Sequence, residues 1–189
     1  SAQDNAAYWS IATTMRSDSS ALSAVKDALG LGSATADVAY TGVNNSIKLL
    51  DQIKQKLVAA REPGVDRTKI QSDITALQQQ MQSTADTASF SGQNWLKIDT
   101  TAGTDINKQI VSSFARDSSN NVTVGVISLS LYNATTGDTV GLYDSNTTAS
   151  AKMGLIDKEL TATSGATYTV GSLDISALTD SDADLADLD

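Results

Sequence analysis

The chain has 189 residues, 40% of them hydrophobic, with 22 acidic against 13 basic side chains and a formal charge of −9. That is long enough to bury a core, and it lacks the basic footprint that a nucleic-acid binder needs. With no His and no Cys, Ser-His-Asp triads, thiol nucleophiles, His/Cys zinc sites and haem or iron–sulfur ligation are excluded.

Carboxylate, hydroxyl, Lys and Tyr chemistry remain, and the acids are lopsided, 20 Asp against Glu62 and Glu159. Ser and Thr together supply 46 residues. An acidic, hydroxyl-rich, thiol-free chain suits life outside a cell. There is no run of 18 apolar residues, and residues 1–20 lack the layout of a cleaved signal peptide, so no membrane partner is expected. Residues 1–99 carry 10 acids and 9 bases, whereas 100–189 carry 12 and 4. We therefore divide the chain into a helical segment, 1–99, and a β-rich region, 100–189.

Residues 2–16 allow a short helix through Ala6, Ala7, Trp9, Ile11, Ala12 and Met15. From Ser19 to Arg61 the periodicity predicts one long helix, roughly 65 Å at 1.5 Å per residue. Counting by sevens, Leu22, Leu29, Ala36, Val43, Leu50 and Leu57 form one seam. Val25, Gly32, Ala39, Ser46, Ile53 and Ala60 form a second. The candidate helix-packing residues are Leu22, Val25, Leu29, Val43, Leu50, Ile53 and Leu57. Each of Gly30, Gly32 and Gly42 costs the helix about 1 kcal/mol relative to Ala, so packing along the seam must stabilise it. The small residues at 32, 36, 39 and 46 would let a neighbouring helix approach closely. Pro63 and Gly64 end the helix.

Thr68 with Gln71 fits a capping box for a second helix whose apolar face is Ile70, Ile74, Leu77, Met81 and Ala88. The two helices should run antiparallel. Strands are predicted over 95–99, 109–115 and 121–131, with a polar turn at 116–120, and further strands over 140–143, 159–163 and 167–170. The fold class expected is α+β: a long antiparallel helical pair, a β-hairpin and a small β-rich variable region.

Several candidate sites have simpler readings. Asp180, Asp182 and Asp184 have calcium-loop spacing, but Leu185 stands where the loop needs Gly, so they are read as acids at a helix start. Asp157 and Glu159 have the spacing of a carboxylate pair on one strand face, yet an exposed charged turn explains them better. The sequons at Asn121, Asn133 and Asn146 are read as turn and strand residues. Trp9 and Trp95 are read as core anchors. No metal, catalytic residue or cofactor is expected.

Three stretches resemble bacterial flagellins, most closely the short alphaproteobacterial ones. Ser1-Ala2-Gln3-Asp4-Asn5-Ala6-Ala7 is similar to the family's Ser-Ala-x-Asp-Asp/Asn-Ala-Ala segment. Leu57-Val58-Ala59-Ala60-Arg61-Glu62-Pro63-Gly64-Val65-Asp66-Arg67 is similar to the helix-turn-helix junction of that branch. Phe90-Ser91-Gly92-Gln93-Asn94-Trp95-Leu96 resembles the Phe-x-Gly segment that leads into the family's hairpin. The resemblance covers residues 1 to about 131.

The resemblance implies a structural subunit of the flagellar filament, secreted and assembling with copies of itself or related flagellins for motility. Flagellar export and capping proteins are the implied partners, with no nucleic acid and no membrane, and no enzyme activity. It also implies an outer-core fragment that lacks both terminal segments. A hook–filament junction protein shares the helical core, and a secreted adhesin or glycan-binding surface protein is the rival outside the family. In flagellins detected by the flagellin-sensing toll-like receptor, an Arg, a Leu four residues on and an acid on the next helix form the contact. The matching positions here are Ile53, Leu57 and Asp73, so little receptor activation is expected.

Overall fold

The computed structural model describes residues 2–117, 119, 121–162 and 164–181. Two helices lead, α1 over Ala2–Ala60 and α2 over Arg67–Thr87. Short strands follow: β1 Ser89–Phe90, β2 Gln93–Asn94, β3 Lys97–Ile98, β4 Ile106–Arg116, β5 Val122–Tyr132, β6 Tyr143–Asp144, β7 Leu160–Thr161 and β8 Thr167–Tyr168. The class is α+β, a helical region followed by a small strand-containing one.

The expected short helix over 2–16 is instead the start of α1. No Gly or Pro stands between Ala2 and Leu29 to break the helix, and its hydroxyl side chains are satisfied internally. Thr13 Oγ1 donates to Trp9 O and Thr14 Oγ1 to Ser10 O. At the far end, the N–H of Arg61 and of Glu62 bonds three residues back, and Gly64 reverses the chain at φ 79°.

The cap of α2 also differs from expectation. Asp66, not Thr68, is the N-cap, its carboxylate accepting from Lys69 N–H at 3.2 Å. That leaves the Gln71 side chain free for the tertiary role described below.

By compactness the chain forms two units, one joining the chain up to Ala34 with Lys108–Leu129, the other joining Thr35–Asn107 with the chain from Ser130. In the first unit, β4 and β5 pair in a two-stranded sheet. Arg116 Nε and Nη2 donate to Asp18 Oδ1 at 3.0 and 2.8 Å, tying β4 to α1. Ile110 lies against Gly32, where a Cβ would sit 2.5 Å from its side chain. The close approach expected at Gly32 is thus used by a strand residue.

In the second unit the core joins Leu49, Ile53 and Ala60 of α1 to Ile74, Met81 and Ala85 of α2, and to Ala88, Leu96, Leu142, Ile156 and Ile175. Ser91 (φ 50°) and Gly92 (φ 77°) make the two-residue turn between antiparallel β1 and β2, with Phe90 opposite Gln93. Parallel pairing joins β3 to β6, Lys97 opposite Tyr143, and antiparallel pairing joins β7 to β8, Leu160 opposite Tyr168. The strands expected at 140–143, 159–163 and 167–170 shrink to these two-residue pieces, residue 163 lying outside the described residues. Around them, a buried carboxylate supplies the backbone partners that a longer ladder would have supplied.

Candidate functional site

Along α1 in the second unit, Thr35, Gly42, Ser46, Leu49, Ile53 and Ala60 are buried. Their spacing is close to the three-four alternation of a packing seam. The line favours small residues because its neighbours come close: a Cβ on Gly42 would sit 2.5 Å from Leu96 Cδ1 and 3.3 Å from Ala88 Cβ. Of the sequence-derived packing residues, Ile53 is 3% exposed, and Leu50 and Leu57 pack half-buried against the core. Val43 lies on the exposed flank. In the first unit, Val25 is half-buried, whereas Leu22 (53%) and Leu29 (36%) are exposed.

The receptor-equivalent positions separate in the same way. Ile53 is buried among core side chains, while Asp73 is exposed and accepts from Lys56 Nζ at 2.6 Å. An Arg introduced at position 53 would enter the core instead of facing a partner.

A cleft of about 340 Å³ is lined by Asp37, Val38, Thr41, Gly42, Asn45, Thr84, Thr87 and Ala88. Its Thr hydroxyls donate to carbonyls a turn earlier: Thr41 to Asp37, Thr84 to Gln80 and Thr87 to Ser83. A hydroxyl spent in this way is not activated by a base.

Asp157 is buried and Glu159 exposed, so they form no shared catalytic face. Asp157 instead belongs to a buried cluster that the sequence reading missed. Asp144, 0% exposed, accepts at Oδ1 from Thr100 N–H (3.2 Å) and Asn146 N–H (2.9 Å). At Oδ2 it accepts from Thr100 Oγ1 (2.5 Å) and Met153 N–H (2.9 Å). Asp144 N–H in turn donates to Asp157 Oδ2 at 2.8 Å, and Asn146 Nδ2 donates to Thr100 Oγ1 at 3.1 Å.

Burial pushes the Asp144 carboxyl up, but the donors from Thr100, Met153 and Asn146 outweigh it and hold the group below the usual carboxylate value. At Asp157 burial wins. One backbone N–H and the Lys152 charge oppose it, the nearby Asp144 charge reinforces it, and the carboxyl is raised. The arrangement pins three stretches around residues 100, 144–146 and 153–157. It acts as a structural clamp.

The carboxylate of Asp180 is engaged within the fold. It accepts from Arg67 Nη2 at 2.7 Å and from Gly64 N–H at 3.2 Å. Residues 182 and 184 lie outside the described residues. Among the described residues no group of three or more acids is placed to hold a metal, and no helix is long and apolar enough to cross a membrane.

The sequon asparagines all serve turns. Asn133 Oδ1 accepts from Thr135 and Thr136 N–H, Asn146 Oδ1 from Thr148 N–H, and Asn121 Nδ2 donates to Asp117. Trp95 is buried as expected, but Trp9 is 72% exposed, a correction to its reading as a core anchor. It shares the early turns of α1 with exposed Tyr8, Ile11 and Met15.

Comparison with known proteins accounts for the long helix. The family described as the bacterial flagellin N-terminal helical region matches residues 1–101. The chain is 57% identical to Flagellin A of Rhizobium meliloti over 142 residues, 75% of this chain and 36% of that protein. Against Flagellin A of strain 1021 it is 48% identical over 188 residues, 97% of this chain and 47% of that protein. A flagellin of Brucella melitensis is 43% identical over 129 residues, 68% of this chain and 44% of that protein. The chain thus spans between a third and a half of the length of these curated relatives. With the family region matched over more than half of the chain, this protein belongs to the flagellin family.

Proposed function

We infer that the chain is part of a structural subunit of a bacterial flagellar filament, secreted from the cell and acting in motility by packing against copies of itself or related flagellins. The observation that carries this reading is the row of exposed apolar side chains on α1, Tyr8, Trp9, Ile11, Met15 and Leu22, in a chain that belongs to the flagellin family. Side chains of that size left open on one helix mark a surface that is covered by another protein. Export and capping proteins of the flagellum are the further partners of such a subunit, and neither a cofactor nor catalysis enters its action.

The finer architecture belongs to the same reading. Lys56 meeting Asp73, and Gly42 close to Ala88, support an antiparallel course for α1 and α2. The bond from Asp117 N–H to Asn121 O supports a β-hairpin between β4 and β5. The end of the family match at residue 101, close to the change in charge at 99–100, supports a helical segment over 1–99 and a variable region over 100–189. The packing residues Leu22, Val25 and Leu29 are assigned to contacts between copies, and Leu50, Ile53 and Leu57 to the subunit's own core. Burial of Ile53, where detected flagellins place an Arg, supports weak engagement of the toll-like receptor.

The experiment is mass spectrometry of filaments sheared from the cells that express this gene. Peptides of this chain in the sedimented filament fraction are the expected result. Their confinement to the soluble secreted fraction, together with saturable glycan binding, would replace this reading with an adhesin.

A further inference from the structure

The two buried carboxylates of the second unit are provided for unequally. Asp144 accepts from four donors. Asp157, 6% exposed, accepts at Oδ2 from Asp144 N–H at 2.8 Å, its one hydrogen bond to a described residue through the carboxylate. Its other oxygen, Oδ1, faces the backbone of the 3-10 turn Val170–Ser172, where a Cβ on Gly171 would sit 3.1 Å from it.

The charges around Asp157 do not redress this. Asp144, on β6, has the same sign. Lys152 is the nearby cation, and its ammonium lies over the Tyr143 ring, 5.1 Å from the ring centre. The turn at 170–172 brings no charge, Lys158 and Glu159 are exposed, and the Asp174 carboxylate accepts from Ser176 N–H. A buried carboxyl with one donor and a like charge beside it favours its neutral form. Burial, opposed by the Asp144 N–H and the Lys152 charge, accordingly raises the Asp157 carboxyl. With no His in the chain, a raised carboxyl takes the place of the side chain that ordinarily senses mild acid.

The position of Asp157 gives that proton something to act on. Ile156 N–H donates to Leu142 O at 3.0 Å, beside β6, and Ile156 O accepts from Gly171 N–H at 2.8 Å. The turn at 170–172 is held on α2 in its turn, since Gln78 Nε2 donates to Val170 O and Leu173 O, both at 3.0 Å, and Gln71 Nε2 to Leu173 O at 3.1 Å. A charge at Asp157 therefore sits at the joint between β6 and the segment that covers α2.

We propose that Asp157 is a proton-operated latch, fastening residues 154–157 to β6 and to the 170–172 turn more firmly in mild acid than at neutral pH. Because the folded carboxyl holds its proton more tightly than the unfolded one, this contribution is fully present below the ordinary aspartate value and is lost as pH rises through the folded value. Asp144 and Asp180, both lowered, act in the reverse direction, so the latch is read as a difference between wild type and Asp157→Asn, which is neutral at every pH.

Carboxyl-carbon NMR of the full chain reads the group directly. The Asp157 midpoint should lie above the ordinary aspartate value, and Lys152→Gln should move it higher while Lys158→Gln leaves it in place. Amide hydrogen exchange reads the consequence. On going from about pH 7.5 to about pH 4.5, protection of Gly171 N–H in wild type relative to Asp157→Asn should rise roughly threefold or more. A midpoint at or below the ordinary value overturns the proposal. A raised midpoint with a protection ratio that stays constant across that range also overturns it, leaving a buried acid that fastens nothing. If Asp157→Asn does not fold, the wild-type titration and its response to Lys152→Gln decide, and an unmoved midpoint in Lys152→Gln counts against the latch.

Discussion

Replacing Asp144 by Asn changes one oxygen to an NH2 group at a fully buried position. If the NH2 takes the Oδ1 position, it faces the N–H groups of Thr100 and Asn146. If it takes the Oδ2 position, it faces Met153 N–H and the Thr100 hydroxyl, which Asn146 Nδ2 already uses as an acceptor. The better placement still strands one buried backbone N–H, at about 1–3 kcal/mol, and the remaining bonds lose the extra strength that the charge gave them. The sum is roughly 2–4 kcal/mol. Asp157→Asn should behave in the opposite way. Its remaining oxygen can still accept from Asp144 N–H, and the substitution removes a charge that burial disfavours. Urea unfolding at pH 7, followed by fluorescence of buried Trp95 and by circular dichroism, reads both. Asp144→Asn within 0.5 kcal/mol of wild type, or Asp157→Asn as destabilising as Asp144→Asn, would refute the clamp.

Two helical glycines should differ in sign. Gly30→Ala, with no atom within 4 Å of the new Cβ, should stabilise by about 1 kcal/mol through helix propensity. Gly42→Ala forces its Cβ onto buried Leu96 and should lose about 0–2 kcal/mol net after the same propensity gain; thermal melts of the pair give the comparison. Asp180, lowered by the hydrogen bond from Arg67 and then by Gly64 N–H, contributes stability above the ordinary aspartate value and loses it as pH falls through its lower folded value. Asp180→Asn should therefore flatten the acid limb of a stability–pH curve, and an unchanged limb would argue against the clasp. Ile53→Arg should destabilise by about 2–5 kcal/mol, since it puts a charge where a core side chain stood, and should create no receptor activity in a reporter assay of the folded protein.

Local signals carried the helices well. The Glu62-Pro63-Gly64 stop and the seven-residue periodicity each act through neighbouring residues, so a sequence displays them. The buried line of α1 was partly visible in Gly32 and Ser46, whose size announces close approach without saying what approaches. At Gly32 it is Ile110 of a strand. The N-cap was misplaced because Thr68 with Gln71 and Asp66 with Lys69 both fit the local chemistry, and only tertiary contacts draw Gln71 to residues 173 and 175. The carboxylate clamp was illegible, since Thr100 lies 44 residues before Asp144 and Met153 nine after it, separations that follow no spacing rule. Trp9 misled for a different reason: a large aromatic signals burial, but not whether its own chain or another copy supplies it.

The central claim, a filament subunit held together by the exposed face of α1, is tested most directly by genetic replacement. A flagellin-deficient strain would receive the complete gene, either wild type or with Trp9→Asp and Met15→Asp. Electron microscopy and swimming in soft agar give the readout. Wild type should restore filaments and motility, and the double variant should be secreted at comparable levels without forming them. Normal filaments from the double variant would contradict the assigned contact face, and a wild-type gene that is secreted yet builds no filament would contradict the function itself.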